Sequence, residues 1–183
     1  MKLGVTVKNV EAALKSIEKE VQKREQAFHA GLIAAGLELG RLATLQITST
    51  LYSTPEPETK ARKRTGNLRA SRYTVWTQGP MKGAPGFNDA NGEAAAQEQA
   101  FQNAVSTSKS EVDARSKDTF AVVVGYGASY ALYVHEGTSR MSGYHWLSDA
   151  LNTNKQHLID IVHTYAKDAK MSMTTGLTSS GGL

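Results

Sequence analysis

The chain has no cysteine, which excludes a disulfide framework, a thiolate metal site and a cysteine nucleophile. Its four prolines, Pro55, Pro57, Pro80 and Pro85, all fall between residues 53 and 91, so long uninterrupted helices are open to both ends of the chain. Aromatic residues make up only 7%. No continuous stretch approaches the roughly 20 apolar residues of a membrane span, and the N-terminus lacks the apolar run of a signal peptide. The expectation is a soluble protein made in the cytoplasm, with no membrane partner.

What is present is enough for one domain. The length of 183 residues and a hydrophobic share of 40% support a single core. The 16 glycines and a Ser/Thr-rich end imply that part of the chain stays outside it. A net charge of +4 and a pI near 9.2 give mild attraction to anions, below the density of a dedicated DNA binder.

Over residues 9–50, Val10, Leu14, Ile17, Val21, Phe28, Ala35, Leu39 and Leu42 recur at three-four spacing, which predicts one long amphipathic helix. Asn9 is placed to cap it, and Glu11, Glu18 and Glu20 lie early, where the helix dipole favours negative charge. Each of Gly31, Gly36 and Gly40 costs up to about 1 kcal/mol against alanine in a helix, so the sequence points to a bend or a close approach there. At 1.5 Å per residue the helix reaches on the order of 60 Å. That length suits core packing, and also packing on a neighbouring subunit.

Ser-Thr-Pro-Glu-Pro-Glu at 53–58 breaks the helix. A basic loop over 53–72 follows, in which Lys60, Arg62, Lys63, Arg64, Arg69 and Arg72 occur with no acidic residue over 60–72. It reads either as a solvated link or as a contact surface for nucleic acid or an acidic subunit face. A nucleic-acid-binding accessory protein using this run is the alternative functional reading. Alternation over 73–77 predicts a strand ended by Gly79-Pro80. Residues 79–117 read as an insertion, a loop to about residue 91 and then a short helix over 93–105. Two strands are expected at 120–124 and 130–134, paired as a hairpin across Gly125–Ser129. A final helix opens at Ser142 or Gly143 and runs to about Lys170. The tail, 171–183, is expected to be mobile or ordered against a partner. The fold class is therefore α+β, a small mostly antiparallel sheet flanked by a long N-terminal and a C-terminal helix, with one domain over 1–170.

A search for chemistry returns little. The histidines are His29, His135, His145, His157 and His163. No His-x-x-x-His or His-x-His occurs, so no metal ligands, cofactor or catalytic residues are expected. His135 and Glu136, as neighbours on a strand, would point to opposite faces and could not act together. Gly125-Tyr126-Gly127 lies between two expected strands, without the helix N-terminus that holds a phosphate. The reading is a protein that is not an enzyme.

Two blocks carry a resemblance. Thr65-Gly66-Asn67-Leu68-Arg69-Ala70-Ser71 is followed by a strand. Val122-Val123-Val124-Gly125 then leads to Tyr130-Ala131-Leu132-Tyr133-Val134-His135-Glu136-Gly137-Thr138 and to Trp146-Leu147 with Ala150-Leu151. In order and spacing this resembles the HK97 gp10-like family of phage tail-completion and neck proteins, over roughly residues 64–151. Gly143-Tyr144-His145-Trp146-Leu147 stands where that family commonly has Pro-Phe-Leu, and residues 78–117 are longer than the family would suggest.

The resemblance implies a structural virion protein at the head-tail joint. It would form a homo-oligomeric ring, a hexamer by analogy, between the connector or stopper and the tail tube, with genome DNA passing through the channel. Tyr130, Tyr133, His135 and Glu136 join the six basic residues as subunit or DNA contact candidates. Gly137 allows a turn with positive φ, and Thr138 can cap that turn through its side chain.

Overall fold

The computed structural model describes residues 10–53, 65–80, 82–83, 86–115 and 119–177, with side chains of the last helix described to residue 168. The fold is α+β, with five helices and two small antiparallel sheets among the described residues. Helix α1 spans Val10–Thr50 and α2 Asn67–Ala70; strand β1 is Arg72–Trp76, helix α3 Ala94–Arg115 and strand β2 Val122–Tyr126. Helix α4 is Ala131–Glu136, strands β3 and β4 are Gly137–Thr138 and Met141–Ser142, and helix α5 is Trp146–Leu177. Asn9 and the prolines at 55 and 57 lie outside the described residues.

Strand β1 pairs antiparallel with β2, from Arg72 opposite Tyr126 to Trp76 opposite Val122. Thr74 and Lys82 exchange backbone hydrogen bonds of 2.8 and 2.9 Å on the other edge of β1. Alternation then sorts the side chains. Tyr73 and Val75 join Phe101, Val105 and Val112 of α3 in one core. Thr74, Val122 and Val124 face α1, where Gly36 and Gly40 lie so close that a Cβ on Gly36 would come within 2.5 Å of Val122 Cγ1. The sheet is thus covered on both faces, which is why residues 73–76 are all buried.

The glycines of α1 are close-approach positions, one of the two outcomes their spacing predicts. A Cβ on Gly31 would sit 3.0 Å from the Val162 backbone of α5. Helices α1 and α5 run side by side, and Glu38 Oε1 and His157 Nε2 meet across them at 3.4 Å. Where they join the rest of the chain, Ala43, Ile47, Leu68, Ala128, Ala131, Trp146 and Ala150 form the second core. A fully buried Ile47, Leu68 or Trp146 contributes roughly 1.5–3 kcal/mol through water-excluded area.

Several expectations are corrected. The strand expected at 130–134 is helix α4, so the hairpin with 120–124 does not form and β2 pairs with the distant β1 instead. Tyr, Leu and Val favour strands, but packing decides: Ala131 is buried while Leu132 and Tyr133 are exposed, which is a helical alternation. Helix α3 runs to Arg115, well beyond 105, because Gln97, Phe101, Val105 and Val112 bury one narrow stripe against the sheet. Helix α5 opens at Trp146, and its backbone continues to Leu177, past the expected end near Lys170.

Although α1 has no unbroken apolar run, its residues Leu14–Thr50 are apolar enough in length and average composition to cross a membrane. In this fold the apolar side chains of its second half, Leu39, Leu42, Ala43 and Ile47, are those of the second core.

Candidate functional site

The two sequence blocks that carry the resemblance meet in space. Gly127 N–H donates to Ser71 carbonyl oxygen at 2.9 Å, fixing the exit of β2 against the end of α2. Tyr130, at the start of α4, is hydrogen-bonded to the Leu68 backbone and the Thr65 side chain; burial pushes its phenol pKa up, with Tyr52 nearby adding to the rise. The Arg69 guanidinium carbon lies 5.1 Å from the centre of the Tyr52 ring, a cation–π distance. Arg69 and Tyr130 therefore gather around Tyr52 at the end of α1. Arg72 is elsewhere: its Nη1 donates to Thr44 Oγ1 at 3.2 Å, beside the half-buried Tyr126, whose phenol pKa is raised mainly by desolvation. Lys60, Arg62, Lys63 and Arg64 lie outside the described residues.

Tyr133 is on the outer side of α4, 60% exposed next to Leu132 at 67%. His135 and Glu136 close the same helix, and the strand-based expectation that they point apart is corrected: His135 Nδ1 lies 2.8 Å from Glu136 Oε1. Gly137 follows with φ 90°, ending the helix and turning the chain into β3. Arg140 N–H donates to Thr138 Oγ1 at 3.2 Å, the side-chain cap that Thr138 was placed to give.

The β3–β4 hairpin then returns along the end of α4. Tyr144 N–H donates to Val134 carbonyl oxygen at 3.1 Å and His145 N–H to that of His135 at 3.0 Å, satisfying carbonyls a helix end leaves open. The return is tight enough that a Cβ at Gly143 would fall 2.5 Å from His135 carbonyl oxygen.

The hairpin thereby brings in a residue that sequence spacing could not pair with the other two. His135, Glu136 and His145 can each offer one ligand atom, all within 4.8 Å of one another. The His135 and His145 rings meet edge to face at 5.6 Å, and His135 meets Trp146 likewise at 4.7 Å. The signal lay in the two glycines that bracket the hairpin, not in a histidine motif.

A second feature is larger. From residue 11 to residue 30 no side chain described in α1 is buried, and none of those described in α5 after Leu158 is buried. The two helices leave the body of the fold as an arm on the order of 30 Å long. Leu14, Ile17, Val21 and Phe28 are 54%, 58%, 57% and 48% exposed on it. Leu14, Val21 and Phe28 stand seven apart, with Ile17 between the first two. Val21 and Phe28 also line a shallow groove of ≈ 600 Å³ with Arg24, Glu25 and Ala166 of α5. Comparison with protein-family models, with curated proteins and with solved structures yields no match.

Proposed function

We propose that this chain is a structural subunit of a tailed-phage particle, a neck or tail-completion protein that works by assembling with copies of itself rather than by chemistry. The observation that carries this reading is the arm. Four large apolar residues at heptad-like spacing stay about half exposed on a helix flanked by Lys15, Glu18, Lys19 and Arg24. Burying them on a second copy would remove them from water, and the flanking charges would set register, the arrangement by which helices associate in water.

The motif order described above adds the place: it resembles the tail-completion family, and its two blocks lie against each other as one unit. In this reading the arm of one subunit packs on its neighbour, closure gives a ring, and the exposed Tyr133 and Leu132 meet flanking proteins, with genome DNA in the channel.

Labelled electron microscopy of intact particles tests it. Label confined to the head-tail joint is the expected result; particles without label would refute the proposal.

A further inference from the structure

We infer that His135, Glu136 and His145 form a binding site for one divalent transition-metal ion, zinc by the chemistry of the donors. The set is two imidazoles and one carboxylate within 4.8 Å. That composition suits zinc and its borderline neighbours and does not suit calcium or magnesium, which take oxygen ligands.

The backbone already holds the three residues in place. His135 and Glu136 are consecutive at the end of α4. His145 is tied back to His135 by its own N–H at 3.0 Å. Its backbone sits at φ 44°, a left-handed conformation costly for a side-chain-bearing residue.

Ligand atoms of a tetrahedral ion with bonds of about 2.0–2.1 Å stand roughly 3.3 Å apart. His135 Nδ1 and Glu136 Oε1, now 2.8 Å apart, need open only slightly, and exposed His145 closes inward by rotating its ring. Water completes the shell on the open side.

The unpartnered nitrogen of His135 agrees with this assignment. Its Nε2 is buried and has no hydrogen-bond partner. Without a metal, the neutral ring gives its proton to the Nδ1–Glu136 contact and leaves a buried lone pair at Nε2 with no donor, an unfavourable arrangement. With the ion on Nδ1, the proton sits at Nε2 instead, and the ring keeps its edge-to-face packing against Trp146. The ion would then fasten the end of α4 to the entry of α5 across the short hairpin.

The test is a titration of zinc chloride into the full chain after treatment with a chelator, followed by calorimetry and by the thermal unfolding midpoint, with cobalt(II) absorption as a reporter of nitrogen and oxygen ligation. One ion per chain and a raised midpoint are expected. Glu136→Gln and His145→Asn, the latter keeping a residue that tolerates positive φ, should each weaken binding by about tenfold or more and leave the midpoint in chelator nearly unchanged. Glu136 is exposed, so the first variant reads out the site even if the second disturbs the turn. No uptake of zinc, or uptake equal in the parent and Glu136→Gln chains, overturns the proposal; in the second case the ion sits on other histidines.

Discussion

Replacing Gly127 with alanine should destabilise the fold clearly, although it adds one methyl group to a residue of ordinary backbone conformation. Gly127 is buried at the exit of β2, pinned by its N–H to Ser71 carbonyl oxygen at 2.9 Å. A Cβ there would lie 2.7 Å from Phe101 Cα, 2.8 Å from Phe101 Cδ2 and 3.2 Å from Phe101 Cβ. Carbon atoms attract best at about 3.5–4.0 Å, so β2 and α3 must separate by most of an ångström. The nearest atom is helix backbone, and no rotamer change relieves it. Phe101 cannot retreat either, being fully buried between Tyr73 and Phe87.

Overpacking of this kind costs about 1–3 kcal/mol, and the strain falls in the upper part of that range because backbone must move. Urea unfolding followed by circular dichroism reads it: with a slope of about 1–3 kcal/mol per molar urea, a loss of about 2 kcal/mol moves the midpoint by roughly 1 M. Gly86→Ala is the control, since no atom lies within 4 Å of its Cβ position. It should be neutral or stabilising by up to about 1 kcal/mol. A Gly127→Ala midpoint within error of the parent would refute the packing of α3 on the β2 exit.

Other consequences follow from the same contacts. Phe101→Ala should cost about 3–5 kcal/mol in the same unfolding assay, and a loss under 1 kcal/mol would mean that α3 is not part of the core. Asn67 Nδ2 donates to Asn88 carbonyl oxygen at 2.9 Å and Asn67 Oδ1 accepts from Asn88 N–H at 2.7 Å; Asn67→Ala leaves those groups unpaired and should lower stability by about 1–3 kcal/mol and speed hydrogen exchange at Asn88. Hydrogen bonds from Arg41 hold the Glu38 carboxyl below its usual pKa, outweighing the rise from burial. A carboxyl depressed in the folded state contributes stability that is complete above its unfolded pKa, about 4.3, and disappears as pH falls through the folded value. Glu38→Gln should therefore flatten the stability profile below about pH 4.5, and an unchanged acid limb would contradict that role.

Much of the frame was legible because long periodic segments are strong signals. Helix α1, the existence of α5 and strands β1 and β2 follow from apolar spacing and valine-rich runs, although α5 opens at Trp146 and not at Ser142 or Gly143. The glycines of α1 were readable as a bend or a close approach, and their contacts with α5 and the sheet decide for the second.

What was hidden is what tertiary packing decides. Residues 130–134 have strand composition, yet β2 pairs with the distant β1, and the segment forms a helix that buries Ala131 in the second core. Helix α3 looked short because its stripe is only one residue wide. Its stability comes from outside itself: Tyr73 OH to Ser108 Oγ at 2.9 Å, Lys109 Nζ to Trp76 carbonyl oxygen at 3.0 Å and Gln78 N–H to Asp113 at 3.1 Å. The grouping of His135, Glu136 and His145 was unreadable for a related reason, since it depends on a hairpin of two-residue strands whose register is set by Gly137 and Gly143. The arm lies between these cases: its length was evident, but that α5 accompanies it outward, leaving Leu14, Ile17, Val21 and Phe28 uncovered, is a property of the packed chain.

The central claim is self-assembly through that arm, and the most direct test is the mass of the purified full chain in solution, measured by light scattering over rising concentration, beside the variant carrying both Val21→Glu and Phe28→Glu. Neither side chain is buried in the subunit, so the variant should keep the parent's circular dichroism and unfolding midpoint. The account predicts a parent mass that is a multiple of 19.7 kDa, six-fold by the family resemblance, collapsing to the single-chain mass in the variant. A parent that stays at the single-chain mass at every concentration, or a variant that assembles as the parent does, would contradict it.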